Sequence, residues 1–385
     1  MKITFDKKIL TEAITRMMLA VTSKSVSLIT EGVLIKAEQG EENVTLTTYD
    51  MEKGVRLYIP ADVHEGGSYI ISAQKLLGIF RTMPGEEVDL KVDDKNIVTV
   101  TSGKSTFKLH ALPGSDFPNL PVLTAERGFS VKQGDLKNLI SRVLFAVAVG
   151  DQNHIMLNGV YFEIKDNMIK VIGCDGFKFG MCNKLCEVQN KDMENPADFR
   201  FILPVKTAGE LIKMLPNDED IVKIEMTRKH IMIKIDDLLL FSRIIDQEYI
   251  DYERVIPAES RIKVTVNPTD LVSALERASI VTEERISGSV PSYVKFTLAG
   301  NKLDLTSTSV TGSIKDEITV FHEGDDIEIG FKCRYLLDTF RACGDKEVVL
   351  RLNSPQMNMI ISPLDPDEED NFLYFVFPLK MREQA

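Results

Sequence analysis

One arrangement recurs three times along the 385 residues: helix, strands, second helix, strands, at a spacing of about 130 residues. A period of that length is a domain rather than a solenoid unit, so the chain is constrained to repeat one α+β fold three times. The clearest landmark is the second helix of each copy with its exit. Ile79-Phe80-Arg81-Thr82-Met83-Pro84-Gly85-Glu86-Glu87-Val88 recurs as Leu211-Ile212-Lys213-Met214-Leu215-Pro216-Asn217-Asp218-Glu219, and again as Thr339-Phe340-Arg341-Ala342-Cys343-Gly344-Asp345-Lys346-Glu347-Val348. Each is an apolar helix closed by Pro or Gly, then an acidic turn, then a β-rich run. A strand pair around a polar turn precedes it in each copy, at Leu46–Asp50, Val171–Gly176 and Leu305–Ser309. The copies are expected to span residues 1–126, 127–257 and 258–385.

Bulk properties agree, since domains of about 100–200 residues give two to four in a chain of this length. A hydrophobic content of 44% supports packed cores. No apolar run reaches the roughly 18 residues of a membrane span, and the N-terminus lacks a basic-then-apolar leader, so a cytoplasmic protein without a membrane partner is expected. The five cysteines, Cys174, Cys182, Cys186, Cys333 and Cys343, are odd in number. The Cys182 to Cys186 gap lacks the second close-spaced pair that a zinc site needs, so reduced, buried thiols are expected.

Each copy opens with an amphipathic helix. Leu10, Ile14, Met17 and Met18 share one face of the first, opposite Lys7, Lys8, Thr11 and Arg16. Leu136, Leu139, Ile140, Val143 and Val147 face inward in the second. The third starts with Asn267-Pro268, a cap followed by proline at the first helical position, and buries Leu271, Ala274, Leu275 and Ala278.

A net charge of −12 argues against a nucleic-acid partner, but distribution matters more than the sum. Segments 7–19 and 74–82 carry +2 each, 135–148, 206–214 and 333–342 carry +1 each, and 269–279 carries −1. Together these six predicted helices hold +6, leaving −18 for everything else. One basic helix face is ordinary solvation; a shared bias within an acidic chain fits helices that look toward a polyanion, with sheets as an acidic exterior. The absence of Trp and of a basic–aromatic cluster argues for sequence-independent phosphate contact rather than base stacking. From helix position, the candidate DNA contacts are Lys75, Arg81, Lys137, Arg142, Lys206, Lys213, Arg277, Arg334 and Arg341.

Catalytic chemistry is not visible. Gly103-Lys104-Ser105-Thr106 mimics the end of a phosphate-binding loop, but Val98 stands where the leading glycine belongs, and a strand-like alternation follows, so a hairpin turn is expected. The histidines, His64, His110, His154, His230 and His322, are scattered without metal-ligand spacing. Asp365-Pro366-Asp367-Glu368-Glu369-Asp370 reads as a solvated loop. No catalytic residue, metal or cofactor is expected.

Several segments carry a resemblance: Met1–Phe5, Asp116-Phe117-Pro118-Asn119-Leu120-Pro121, Leu157–Glu163, Cys174-Asp175-Gly176-Phe177-Lys178, Asp251–Pro257, Ile329-Gly330-Phe331 and the ending Tyr374–Lys380. In order and spacing the chain resembles, over its whole length, the bacterial DNA polymerase III β subunits, the sliding clamps. The resemblance implies a head-to-tail homodimer of three-domain protomers. This makes a six-domain ring with helices inside, sheets outside and duplex DNA through the hole. Such a ring is a non-catalytic processivity factor. It tethers the polymerase III alpha subunit, and serves the clamp loader, other polymerases and repair proteins through a hydrophobic peptide cleft. The matching cleft positions are Leu157, Cys174, Gly176, Phe177, Lys178, Phe179, Ile250, Val255, Ile256, Phe375, Phe377, Pro378, Leu379 and Lys380. Lys24 matches a DNA-contacting loop position, and Ile280 and Val281 of one protomer are expected against Phe107 and Leu109 of the next.

The chain departs from the family pattern within the cleft. Phe177 stands in place of a common His, Phe179 of a Leu, Ile250 of a Pro and Cys174 of a Thr, which implies a bulkier, more apolar cleft. Ile155-Met156 replaces an aromatic pair near the DNA path, and Arg382–Ala385 extend past the usual end. A clamp paralogue with altered partners, a non-ring architectural DNA-binding protein and, most remotely, an enzyme on a borrowed fold are the alternative readings.

Overall fold

A computed structural model describes residues 1–21, 29–120, 127–192, 197–215, 218–256, 260–282, 293–309 and 312–381. The chain divides into two compact units, one of residues 1–133, 189–194 and 213–244, the other of residues 134–188, 195–212 and 245–385. The expected copy boundaries at 126 and 257 lie outside the described residues.

In the first unit, α1 (Lys7–Met17) begins where Asp6 accepts the Ile9 backbone N–H at 2.9 Å, and buries Leu10, Ala13, Ile14 and Met17 at helical spacing. A 3₁₀ turn, Met18–Ala20, ends it sooner than the periodicity alone predicts. Helix α2 (Ala73–Thr82) buries Leu76, Leu77, Ile79 and Phe80 and packs beside α1, where Lys7 Nζ donates to the Met83 carbonyl at 2.6 Å. A five-stranded antiparallel sheet runs Asp62–Glu65, Lys2–Asp6, Glu87–Val92, Ile97–Ser102, Ser105–His110. The last two strands are joined through Gly103 at φ 59°, so Gly103-Lys104 is a hairpin turn and not a phosphate loop. A ten-stranded sheet completes the unit. At its centre Lys53–Pro60 of the first copy pairs with Leu238–Arg243 of the second, Leu57 opposite Leu238.

In the second unit, α3 (Gln133–Val143) buries Leu136, Leu139, Ile140 and Val143, then tightens into a 3₁₀ turn, Leu144–Ala146. That turn lies on Gly173, where a Cβ would stand 2.6 Å from the Val143 carbonyl oxygen, so a residue without one is required. Helix α4 (Val205–Met214) follows the strand Asp198–Pro204, and its last two residues, Lys213 and Met214, belong to the first unit. Helix α5 (Pro268–Thr282) starts where Asn267 accepts the Thr269 N–H at 2.9 Å, and α6 (Cys333–Ala342) lies against it. A four-stranded sheet has Ser313–Thr319 at one edge and Ile327–Phe331 at the other. In a nine-stranded sheet, Lys178–Leu185 of the second copy pairs with Asp370–Val376 of the third, in register from Lys178 opposite Val376 to Lys184 opposite Asp370.

Strand pairing thus crosses the copy boundaries twice, and the middle copy contributes residues to both units. All five cysteines are buried free thiols. Among the described residues no helix is long and apolar enough to cross a membrane, and no group of three or more His, Cys, Asp or Glu is placed to hold a metal ion. Glu369 in the acidic loop donates its N–H to Asp367, while Asp370 already belongs to a strand.

Candidate functional site

The strand Met168–Cys174 turns back into Lys178–Leu185 through Asp175-Gly176-Phe177. Asp175 shapes that turn by accepting the N–H groups of Phe177 and Lys178 at 2.8 and 2.6 Å. Gly176 sits at φ 83°, and its missing Cβ faces open space, so backbone conformation rather than crowding demands glycine. The Gly176 N–H donates to Cys174 Sγ at 3.4 Å, and burial raises the Cys174 thiol pKa.

Behind the turn, Leu157, Cys174, Phe179 and Phe375 are buried in one cluster with Ala148, Ile172, Tyr252 and Ile360, and Ile250 and Ile256 pack half-buried against it. The rings of Phe179 and Phe375 stack at 4.9 Å. Val255 ends the short turn Tyr252–Val255, whose first residue belongs to this cluster. Residues scattered over more than 200 positions therefore converge. Sequence reasoning missed Tyr161, Tyr249 and Tyr252: Tyr161 and Tyr249 stack at 4.7 Å, and the Tyr252 hydroxyl donates to Glu163 at 3.0 Å while accepting from Lys170 at 3.3 Å. Two tyrosines three residues apart, Tyr249 just before the Asp251–Pro257 segment and Tyr252 within it, were the available signal.

The rim of this cluster stays open. Phe177 is 56% exposed and Phe377 38% exposed, and the Phe377 N–H donates to the Phe177 carbonyl at 3.0 Å. Two residues on, the Leu379 N–H donates to the Gly330 carbonyl at 2.8 Å, so the segment Phe377–Leu379 is docked on both sides. Pro378 and Leu379 are half-buried and Lys380 is exposed. The Arg382–Ala385 extension lies outside the described residues. Tyr335 of α6, also missed from sequence, stacks on Phe177 at 5.8 Å. Lys178, another of the matching cleft positions, is buried. Its ammonium lies 3.2 Å from Asp175 and 3.9 Å from Asp338, over the Tyr335 ring at 4.7 Å.

The candidate DNA contacts divide by what they already hold. Lys24 lies outside the described residues. In the first unit Lys75, Arg81 and Lys213 are exposed, with Arg81 donating to Thr15 at 3.4 Å. In the second, Lys206 is exposed and Lys137 half-buried. Arg142 is turned onto the sheet, where it binds Asp370 and donates to Cys182 Sγ at 3.5 Å. Arg277 pairs with Asp316, Arg334 with Asp338 at 3.0 Å and Arg341 with Glu276 at 2.8 Å. The basic bias of the helices is thus partly spent on local carboxylates, which sequence position could not show. Ile155, where the family has an aromatic, is 48% exposed, whereas Met156 packs against the apolar cluster.

One sheet edge and one helix end carry the expected contact residues. Phe107 is exposed and Leu109 half-buried on the edge strand Ser105–His110. Ile280 is 77% exposed and Val281 half-buried at the end of α5.

Comparison with known proteins agrees with this geometry along the whole chain. Residues 1–121, 130–251 and 253–380 match in turn the N-terminal, central and C-terminal domains of the DNA polymerase III beta subunit. The beta sliding clamp of Halalkalibacterium halodurans is 26% identical over 378 residues, covering 96% of this chain and 97% of its own. That of Vibrio cholerae is 27% identical over 353 residues, 91% of each. The solved sliding clamp of Bartonella birtlesii, DNA polymerase III subunit beta bound to griselimycin, is 27% identical and superposes with a TM-score of 0.87 over 99% of this chain and 100% of that one. With three successive domains matched in order and the apolar site assembled between the second and third, the chain belongs to the DNA polymerase III beta subunit family, the beta sliding clamps.

Proposed function

We propose that two copies of this chain close head to tail into a six-domain ring around duplex DNA, helices inward and sheets outward, and that the apolar cluster around Phe179 and Phe375 receives an extended peptide of the replicative polymerase. A polymerase held in this way stays at high effective concentration after it releases a primer end, so processivity rises without catalysis by the clamp. The observation that carries the reading is the convergence of Leu157, Cys174, Phe179, Ile250, Ile256 and Phe375 beneath a rim that leaves Phe177 and Phe377 exposed. Large aromatics left open over an apolar floor fit side-chain anchors of a partner.

Closure is supported by two open sheet edges, Ser105–His110 and Ser313–Thr319, each with unpaired backbone groups along one side. A heterologous contact that closes after two copies gives a ring rather than a filament. Exposed Lys75, Arg81, Lys206 and Lys213 fit weak, salt-screened phosphate contacts of the kind sliding requires. The polymerase alpha subunit, the clamp loader, other polymerases and repair proteins would share the cleft, in the cytoplasm, and loading would use the loader's nucleotide. The domain limits follow the three repeats, near 126 and 257.

Light scattering should give 2 × 43.3 kDa. After loading with a clamp loader and ATP, the protein should resist salt on a nicked circular plasmid and leave once the plasmid is linearised. Equal, steeply salt-dependent retention on circular and linear DNA would instead mean non-ring binding.

A further inference from the structure

The outward face of the ten-stranded sheet in the first unit reverses the acidic exterior expected of the sheets. Val55, Leu57, Leu240, Ile231, Ile233 and Ile224 are buried, so by strand alternation the residues between them look away from the core. Those outward positions carry Lys36, Arg56, Lys132, Lys223, Lys234 and Arg243 against Glu225 alone, in a chain whose net charge is −12. Three of the cations are already compensated: Lys36 by Glu38 at 2.8 Å, Lys132 by Glu219 at 3.0 Å and Lys223 by Glu225 at 3.1 Å. Arg56, Lys234 and Arg243 have no carboxylate within ion-pair distance among the described residues. The register brings these three together, since Leu239 lies opposite Arg56 on one side and Lys234 on the other, and Arg243 is the second outward residue after Leu239 on the same strand. The Arg56 guanidinium stands 5.7 Å from the centroid of the buried Phe241 ring, and its Nε is buried without an acceptor. Lys234 faces Lys223 directly across the strand pair, a like-charge opposition that costs stability unless an anion offsets it. Burial first, then the Arg243 and Lys229 charges, lower the His230 pKa, which marks a positive field at that end of the face.

We infer that this face docks an acidic segment of a partner protein, with carboxylates for Arg56, Lys234 and Arg243 and aliphatic side chains for the apolar surface between them. Leu239 and Met232 are half-buried there, and Tyr58, two positions along the strand from Arg56, is 46% exposed. Charge gives the sign of the partner and the apolar floor gives its class: Tyr, Met and Arg mark the core of protein interfaces, whereas phosphate contact calls for cations alone. Packing against Phe241 keeps Arg56 ordered, which lowers the entropy lost on pairing. The face lies wholly within the first unit, so the inference does not depend on the cleft around Phe179, which belongs to the second.

The test is fluorescence anisotropy with the full-length protein, the labelled peptide Asp-Glu-Leu-Asp-Glu-Leu-Leu-Asp-Glu-Leu, its Asn/Gln counterpart and a labelled linear DNA duplex. The native protein should prefer the acidic peptide, by a margin that shrinks as salt rises. Partly exposed ion pairs are each worth little, so Arg56→Gln with Arg243→Gln should weaken the acidic peptide about three- to ten-fold. Lys36→Gln with Lys132→Gln makes the same change in net charge at cations already paired, and should weaken it less than about two-fold. Phe177→Ala, in the second unit, should leave the affinity unchanged. No binding of the acidic peptide, or equal affinity for both peptides, would overturn the inference on the native protein alone. Equal losses in the two double variants would reduce the effect to net charge, and a loss in Phe177→Ala would move the peptide to the cleft; either would overturn it. A loss of duplex affinity in Arg56→Gln with Arg243→Gln, with the peptide unaffected, would assign the face to nucleic acid instead.

Discussion

Arg142 tests whether a basic residue on a clamp helix serves DNA or the protein's own joint. Its guanidinium reaches the Asp370 carboxylate, at the start of the strand through which the third copy joins the second copy's sheet. Lys184 stands 4.0 Å from Asp370 and 3.0 Å from Asp135 of α3, and Cys182 Sγ accepts from Arg142. The Arg142 and Asp370 side chains are 26% and 35% exposed. That places the pair between exposed pairs worth about 0.2–1 kcal/mol and buried ones whose disruption costs about 3–5 kcal/mol. Arg142→Ala leaves Asp370 with Lys184 as a remaining counter-charge, so a loss of about 1–2 kcal/mol is expected. Asp370→Ala leaves Lys184 with Asp135 but takes away the carboxylate that Arg142 binds, and should cost at least as much. A double-mutant cycle by urea denaturation should return a coupling of about 1 kcal/mol. The same Arg142→Ala protein should keep its salt slope for DNA, whereas Lys206→Ala with Lys213→Ala should flatten it by about one to two. Coupling below about 0.3 kcal/mol, together with a reduced DNA slope for Arg142→Ala, would refute the reasoning and return Arg142 to the DNA path.

Other expectations follow from the same geometry. Ile280→Asp with Val281→Asp should yield a 43.3 kDa monomer by sedimentation, because burying two carboxylates in an apolar contact costs several kcal/mol; a persistent dimer would disprove this interface. Gly176→Ala forces a Cβ onto a residue at φ 83°, costing roughly 1–2 kcal/mol of backbone strain. It should weaken peptide binding by displacing Phe177 while the fold survives, and unaltered affinity would show that the turn does not shape the cleft. Burial pushes the Cys186 thiol up to about 12 and raises Cys343, Tyr249, Tyr252 and Tyr374 above their ordinary values. These groups keep their protons in the folded chain after the unfolded chain has lost them. Their stabilising effect is therefore whole below about pH 9 and falls as pH rises toward the folded values, by up to about 1.4 kcal/mol per group per pH unit. Urea midpoints should be level from pH 7 to 8.5 and drop steadily beyond; a level midpoint through pH 11 would contradict the buried, protonated assignment.

Much of this protein was determined by its sequence alone, because the determining interactions are local. Helical spacing placed Leu10, Ile14 and Met17 on the buried face of α1, and the Asn267-Pro268 start of α5 is a capping interaction two residues long. The hairpin at Gly103 and the thiol state of the cysteines were legible for the same reason, as turn chemistry and residue burial follow from composition and neighbours. That Phe179 and Phe375 belong together was legible only through family resemblance, since they meet across almost 200 residues of chain. Only the tertiary structure decided the rest. It joined the copies through shared sheets, a matter of backbone hydrogen bonds between distant strands that side-chain periodicity does not encode. It also decided which cations are spent and which remain. Arg142, Arg277, Arg334 and Arg341 look alike on a helical wheel, yet each has a carboxylate brought to it by folding, while Lys332 has none among the described residues. Charge is a property of the sequence; its compensation is a property of the fold, because Coulomb attraction at contact distance depends on which residues the chain brings together.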